Sequence, residues 1–150
     1  MPSFEEIVRR YKQKEGPKST PAKRTSSPLH HEHELQVACV NAFRMTYPSL
    51  SMRLFAVPNG GSRNKAEAAR LKAEGVLAGV ADLILLKPNR TYGALLIELK
   101  YGRNKQSPRQ VEWQTDLCRQ GEYRYVVVRS VADFLHIVSD YITDSDSNTP

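Results

Sequence analysis

At 150 residues and a formal net charge of +6, the chain fits one domain with tails and suits a polyanionic partner such as DNA or RNA. Only two cysteines occur, Cys39 and Cys118, both in apolar, helix-like surroundings; this excludes a secreted disulfide scaffold and points to buried thiols in a reducing cytoplasm. No apolar run approaches the roughly 18 residues of a membrane span, and Met1 to Thr20 is too polar for a signal peptide, so no membrane partner is expected.

In chain order, residues 1–29 read as a basic, mostly disordered tail, with a short helix over Phe4 to Gln13 and then a stretch rich in Pro, Ser, Thr, Lys and Arg. Residues 30–142 carry the globular pattern. Glu32 to Tyr47 is a predicted helix, because Leu35, Cys39, Ala42 and Phe43 recur at three- and four-residue steps before Pro48. Leu54 to Val57 is a short strand stopped by Pro58-Asn59-Gly60-Gly61. Asn64 to Glu74 is a second helix closed by Gly75. Ala81 to Leu86 and Ala94 to Lys100 are apolar strands around the turn signal Pro88-Asn89-Arg90, hence an antiparallel hairpin. Ser107-Pro108 opens a helix from Arg109 to about Arg119, Tyr123 to Arg129 is a strand, and Ser130 caps a last helix. Residues 143–150 are polar and should fray as a disordered tail. The order predicts an α/β sandwich around a small mixed sheet flanked by helices.

The acids fall where such a sheet would gather them. Glu98 and Lys100 are two apart on one strand and therefore share a face, while Leu99 points the other way. In a hairpin, Asp82 at the start of one strand lies beside Glu98 at the end of the next. Neighbouring desolvated carboxylates repel, and a hard divalent cation with a few carboxylate oxygens relieves that repulsion. Charge pattern alone leaves open a plain strand-end ion pair between Glu98 and Lys100. His30, His31 and His33 read as a solvated helix start, and Trp113 as a core residue. Asn59, Gly60, Gly61 and Arg63 could cradle a phosphate ahead of a helix, with Lys65, Arg70 and Lys72 as a basic face for the DNA backbone and Arg103 and Lys105 as further contacts.

Five segments in order carry a family resemblance: Val57-Pro58-Asn59-Gly60-Gly61-Ser62-Arg63, Ala69 to Gly75, Gly79-Val80-Ala81-Asp82-Leu83, Ile97-Glu98-Leu99-Lys100, and Ser107 to Trp113. Together they resemble the VRR-NUC family of the PD-(D/E)XK nuclease superfamily, over roughly Glu32 to Tyr141, in its small stand-alone phage and bacterial form. The resemblance implies a restriction-endonuclease-like αβββαβ core. It also implies Mg²⁺, with Mn²⁺ as a substitute, held by Asp82, Glu98 and the Leu99 carbonyl. Lys100 would be the catalytic lysine, and Gln110, opening the next helix, would support the site or touch the substrate. An acid on the first helix of the globular part is expected as well; Glu32 and Glu34 compete, and helical phase favours Glu32, on the face of Leu35 and Cys39. The proline usual before the catalytic Asp is Ala81 here, which removes no ligand.

These readings make the chain a metal-dependent, structure-selective DNA endonuclease acting on branched or four-way-junction DNA. A homodimer in the cytoplasm of a bacterial or phage-infected cell is the expected form. The alternatives are a non-catalytic nucleic-acid-binding module that keeps the fold, disfavoured by the complete acid–acid–lysine set, and an RNase.

Overall fold

The computed structural model describes residues 3–14, 28–58 and 64–146, and the Pro- and Ser-rich linker expected after Lys14 lies outside them. Within this range the elements are α1 (Phe4–Lys14), α2 (Pro28–Thr46), a 3-10 turn (Pro48–Arg53), β1 (Leu54–Ala56), α3 (Lys65–Ala73), β2 (Leu83–Leu85), β3 (Ala94–Leu99), α4 (Pro108–Leu117), β4 (Tyr123–Val128) and α5 (Val131–Asp146). Every predicted helix and strand is present in the predicted order. α2 starts before the expected Glu32, at a proline, whose missing N–H is no loss in a helix's first turn. The three histidines therefore lie inside the helix. The 3-10 turn after Tyr47 was not predicted; it too opens on a proline.

The sheet order is β1-β2-β3-β4. β1 pairs antiparallel with β2 and β2 antiparallel with β3, whereas β3 and β4 run parallel and need the α4 crossover between them. One face of the sheet presents Leu54, Leu83, Leu85, Leu95, Ile97, Leu99 and Val128 to a helical layer. That layer contributes Cys39, Ala42 and Phe43 from α2 and Phe134, Leu135, Val138 and Tyr141 from α5. The thiol of Cys39 is pushed up to about 12 by burial, which leaves it inert as a nucleophile. Ile7 of α1 joins the same core at 2% exposure, so part of the N-terminal segment packs on the domain.

All six β3 residues are buried, so the second face is covered as well. α4 lies on that side, where Trp113 meets Tyr125 of β4 edge-on at 6.1 Å. The expected core role of Trp113 is only partly met, because it stays half-buried. Cys118, expected as a buried thiol, is half-buried, because it sits at the C-cap of α4 where the helix leaves the sheet. The hairpin turn is built by Asn89, whose Oδ1 accepts the N–H groups of Thr91 and Tyr92 at 2.9 and 2.7 Å. The Tyr141 hydroxyl donates to the Lys87 carbonyl at 2.8 Å and ties α5 to that turn.

Candidate active site

The functional cluster grows from the β2–β3 register. Leu83 opposes Ile97, so one step outward sets Asp82 beside Glu98, as the hairpin reading expects. Asp82 Oδ2 accepts the Leu99 N–H at 2.8 Å, which extends the ladder by one side-chain bond and fixes the carboxyl at the strand end. The chain reaches Asp82 through Gly79, whose φ is +94°. A Cβ at Gly79 would lie 2.8 Å from the Arg109 carbonyl oxygen, so only glycine lets this loop press against the first turn of α4. Ala81, standing where the family usually has proline, is fully buried.

Among the described residues, Glu98 and Lys100 are the buried charged side chains, at 0% and 8% exposure. They pair at 2.7 Å, so the strand-end ion pair is present. Two further contacts converge on the same carboxylate and exceed what that pair needs. Gln110 Nε2 donates to Glu98 Oε1, and the Tyr125 hydroxyl donates to Oε2 at 3.2 Å. Gln110 is oriented by a capping box: its Oε1 accepts the Ser107 N–H at 2.8 Å, which turns its amide nitrogen toward Glu98. Tyr125 is oriented by Gln106, whose Nε2 donates to its hydroxyl oxygen at 3.3 Å and to Gln114 Oε1 at 2.9 Å. With its oxygen already accepting, the phenol's proton is directed at Glu98. A carboxylate offers about four acceptor positions, so Lys100, Gln110 and Tyr125 leave roughly one on Glu98.

The electrostatics match that geometry. Burial pushes the Glu98 carboxyl up from 4.5 to about 7; the Lys100 hydrogen bond opposes this, and the charge of Asp82 adds to it. Asp82 is raised too, first by burial, with the Leu99 N–H and Lys100 pulling down and the charge of Glu32 pushing up. Glu98 in turn pulls Asp82 down while the charge of Asp82 pushes Glu98 up, so the protonation of the two carboxyls is linked. Among the described residues no group of three or more His, Cys, Asp and Glu side chains is gathered as metal ligands. The donor set is thus two carboxylates, which suits a hard cation that keeps several waters.

Glu32 and Glu34 separate cleanly. Glu32 Oε1 accepts the Tyr101 N–H at 3.2 Å and Asn104 Nδ2 at 3.1 Å, pinning the loop that follows Lys100, and its charge is felt at Asp82. Glu34 instead sits 3.3 Å from His30 and 3.4 Å from His31 on the exposed side of α2. Glu32→Ala should therefore lower activity on the order of tenfold or more by releasing the loop beside the site, with Glu34→Ala close to wild type. Equal losses in steady-state cleavage assays would remove Glu32 from the site.

The expected DNA contacts are only partly placed. Asn59, Gly60, Gly61 and Arg63 lie outside the described residues. Lys65, Arg70 and Lys72 are exposed on α3, a helix without a buried residue. They do not form one face: Lys65 and Lys72 are two turns apart and aligned, whereas Arg70 falls roughly 140° round the helix and pairs with Glu74 at 3.1 Å. Tyr125 and Gln106 were missed in sequence. The parallel register that sets Tyr125 opposite Leu96, on the Glu98 face, depends on the crossover and has no local signal.

A family model of the VRR-NUC domain matches residues 24–132. A solved structure described as "VRR_NUC domain protein" is similar over 75% of this chain and 88% of its own, with 26% identity and a TM-score of 0.64. The comparison with curated proteins gives no match. With the mixed sheet, the β2–β3 register and the family match in agreement, the chain belongs to the VRR-NUC domain family, a family of nuclease-type domains.

Proposed function

We propose that the protein is a Mg²⁺-dependent endonuclease that hydrolyses phosphodiester bonds in branched DNA. The observation that carries this reading is the convergence of Asp82, Glu98 and Lys100 at one strand end, with Glu98 held by Lys100, Gln110 and Tyr125. A buried ion pair alone stabilises little, and paired groups shifted by burial mark functional sites. Asp82 and Glu98, with the Leu99 carbonyl, would hold the cation, and Mn²⁺ would substitute for it. Bound there, Mg²⁺ supplies Lewis-acid polarisation of the phosphate and a more acidic water.

The chain's own residues do the rest. Asp82 is fixed by the Leu99 N–H and Glu98 by its three donors, so neither carboxylate needs to reorganise when the substrate arrives. Lys100 Nζ donates one proton to Glu98. Its other two can orient the attacking water and offset charge developing on a non-bridging phosphate oxygen. Tyr125→Phe removes one of the bonds that set the Glu98 plane. It should weaken Mn²⁺ binding by about tenfold in calorimetric titration, as outer-shell partners do, and leave the melting temperature nearly unchanged. Unaltered affinity would strip Tyr125 of that role.

DNA as the substrate rests on the family and on the +6 charge. Preference for branched DNA rests on the domain's small size, which leaves little room for base-reading elements. A homodimer would place two such sites on two strands. A cleavage panel in Mg²⁺ on duplex, flap, splayed-arm and four-way-junction DNA, with matched RNA, tests the reading. Faster cutting of branched DNA than of linear duplex is expected. Equal rates on all DNA would leave a general nuclease, and cutting confined to RNA would replace the substrate class. Among the described residues no helix is long and apolar enough to cross a membrane.

A further inference from the structure

β3 ends at Leu99, and directly after Lys100 Tyr101 turns its ring onto His31 of α2. The ring centroids are 4.3 Å apart and the planes 18° from parallel, yet Tyr101 remains 44% exposed. The loop that carries it is fixed from three sides. Glu32 Oε1 accepts from the Tyr101 N–H and from Asn104 Nδ2. Arg129 reaches across from the end of β4, donating from Nη1 to the Gly102 carbonyl at 2.6 Å and from Nη2 to the Asn104 carbonyl at 2.9 Å. Within the loop the Asn104 N–H donates to the Tyr101 carbonyl at 3.1 Å. Arg103 and Lys105 of the same loop are exposed.

An aromatic ring backed by a second ring, on a pinned loop with exposed cations, is the combination that holds single-stranded nucleic acid. The ring offers a π-face to a base and the cations meet its phosphates. Because the loop is already ordered, little conformational freedom is lost on binding. A base inside a duplex is stacked on both sides and cannot use such a ring. We propose that Tyr101, backed by His31, is a stacking subsite for an unpaired nucleobase beside the phosphodiester cut at the Asp82–Glu98–Lys100 centre. The subsite rests on the DNA-nuclease reading and narrows it. The favoured substrates are flaps and splayed arms, which present unpaired bases, over a fully paired four-way junction.

The test uses the full chain in Ca²⁺, so that binding is read without cleavage, and a splayed-arm DNA with 2-aminopurine as the first unpaired base at the branch. Wild type should quench the 2-aminopurine fluorescence by stacking. Tyr101→Phe should keep the quench. Tyr101→Leu, which preserves an apolar cover over His31, should lose it and bind the splayed arm about tenfold more weakly, with unchanged affinity for a fully paired duplex of equal length. Splayed-arm binding by wild type without quenching would overturn the subsite, as would an equal loss by Tyr101→Leu on both DNAs. Absence of binding to either DNA by wild type would overturn the DNA reading and the subsite with it.

Discussion

Asp82→Asn, Glu98→Gln and Lys100→Ala should each reduce cleavage by about a thousandfold or more, and any pair combined should be little worse than the worst single variant. Groups that act as one unit give large, non-additive losses. The three are one unit because Glu98 is hydrogen-bonded to Lys100 at 2.7 Å and the charge of Asp82, beside it in the β2–β3 register, acts on its carboxyl. Removing one member changes both the position and the charge of the others. Asp82→Asn and Glu98→Gln are isosteric and should fold. Lys100→Ala leaves Glu98 buried with one donor fewer, so its melting curve is needed to separate lost chemistry from lost fold. Near wild-type cleavage by any folded single variant would take that residue out of the catalytic centre.

The second large effect is on stability, and it has a definite sign. The folded Glu98 carboxyl sits at about 7 against an ordinary 4.5, chiefly because of burial, and Asp82 moves the same way. A folded-state value above the unfolded one means that the native protein holds the proton more tightly. The resulting stabilisation is full below about pH 4.5 and is lost as pH rises through about 7. In EDTA the melting temperature should therefore fall between roughly pH 5 and 8, by an amount reflecting at most about 3 kcal/mol. Glu98→Gln carries no titrating group there and should flatten the fall. Mg²⁺ should restore wild-type stability at the alkaline end, because the cation neutralises the ionised carboxylates in place of a proton. Differential scanning calorimetry across this range decides it: parallel curves for wild type and Glu98→Gln would show that the pair is not strained as described.

Much of this site was legible in the sequence because strand geometry is rigid. Alternation put Glu98 and Lys100 on one face, and the Pro88-Asn89-Arg90 turn forced Asp82 back beside them. Helix α4 announced itself through Ser107, Pro108 and Gln110, and the same capping box that starts the helix also aims the Gln110 amide. What local pattern could not give is how elements dock. The facing of Tyr125 follows from the parallel β3–β4 register, set by the crossover. Helical phase put Glu32 near the site but did not show that it would clamp the Tyr101 loop. The supposed basic face of α3 failed for a simpler reason, since the five-residue step from Lys65 to Arg70 carries it past the side of the helix that Lys65 and Lys72 share.

The central claim is that two carboxylates and a lysine at the end of β3 form a cation-dependent phosphodiesterase centre. Its most direct test is the rate of cleavage of a labelled splayed-arm DNA as Mg²⁺ is titrated into EDTA-treated protein, with Glu98→Gln run in parallel. The account predicts no cutting without the cation, saturable activation as it is added, and a flat line for Glu98→Gln at every concentration. Undiminished cleavage in EDTA, or activation of Glu98→Gln equal to wild type, would contradict it.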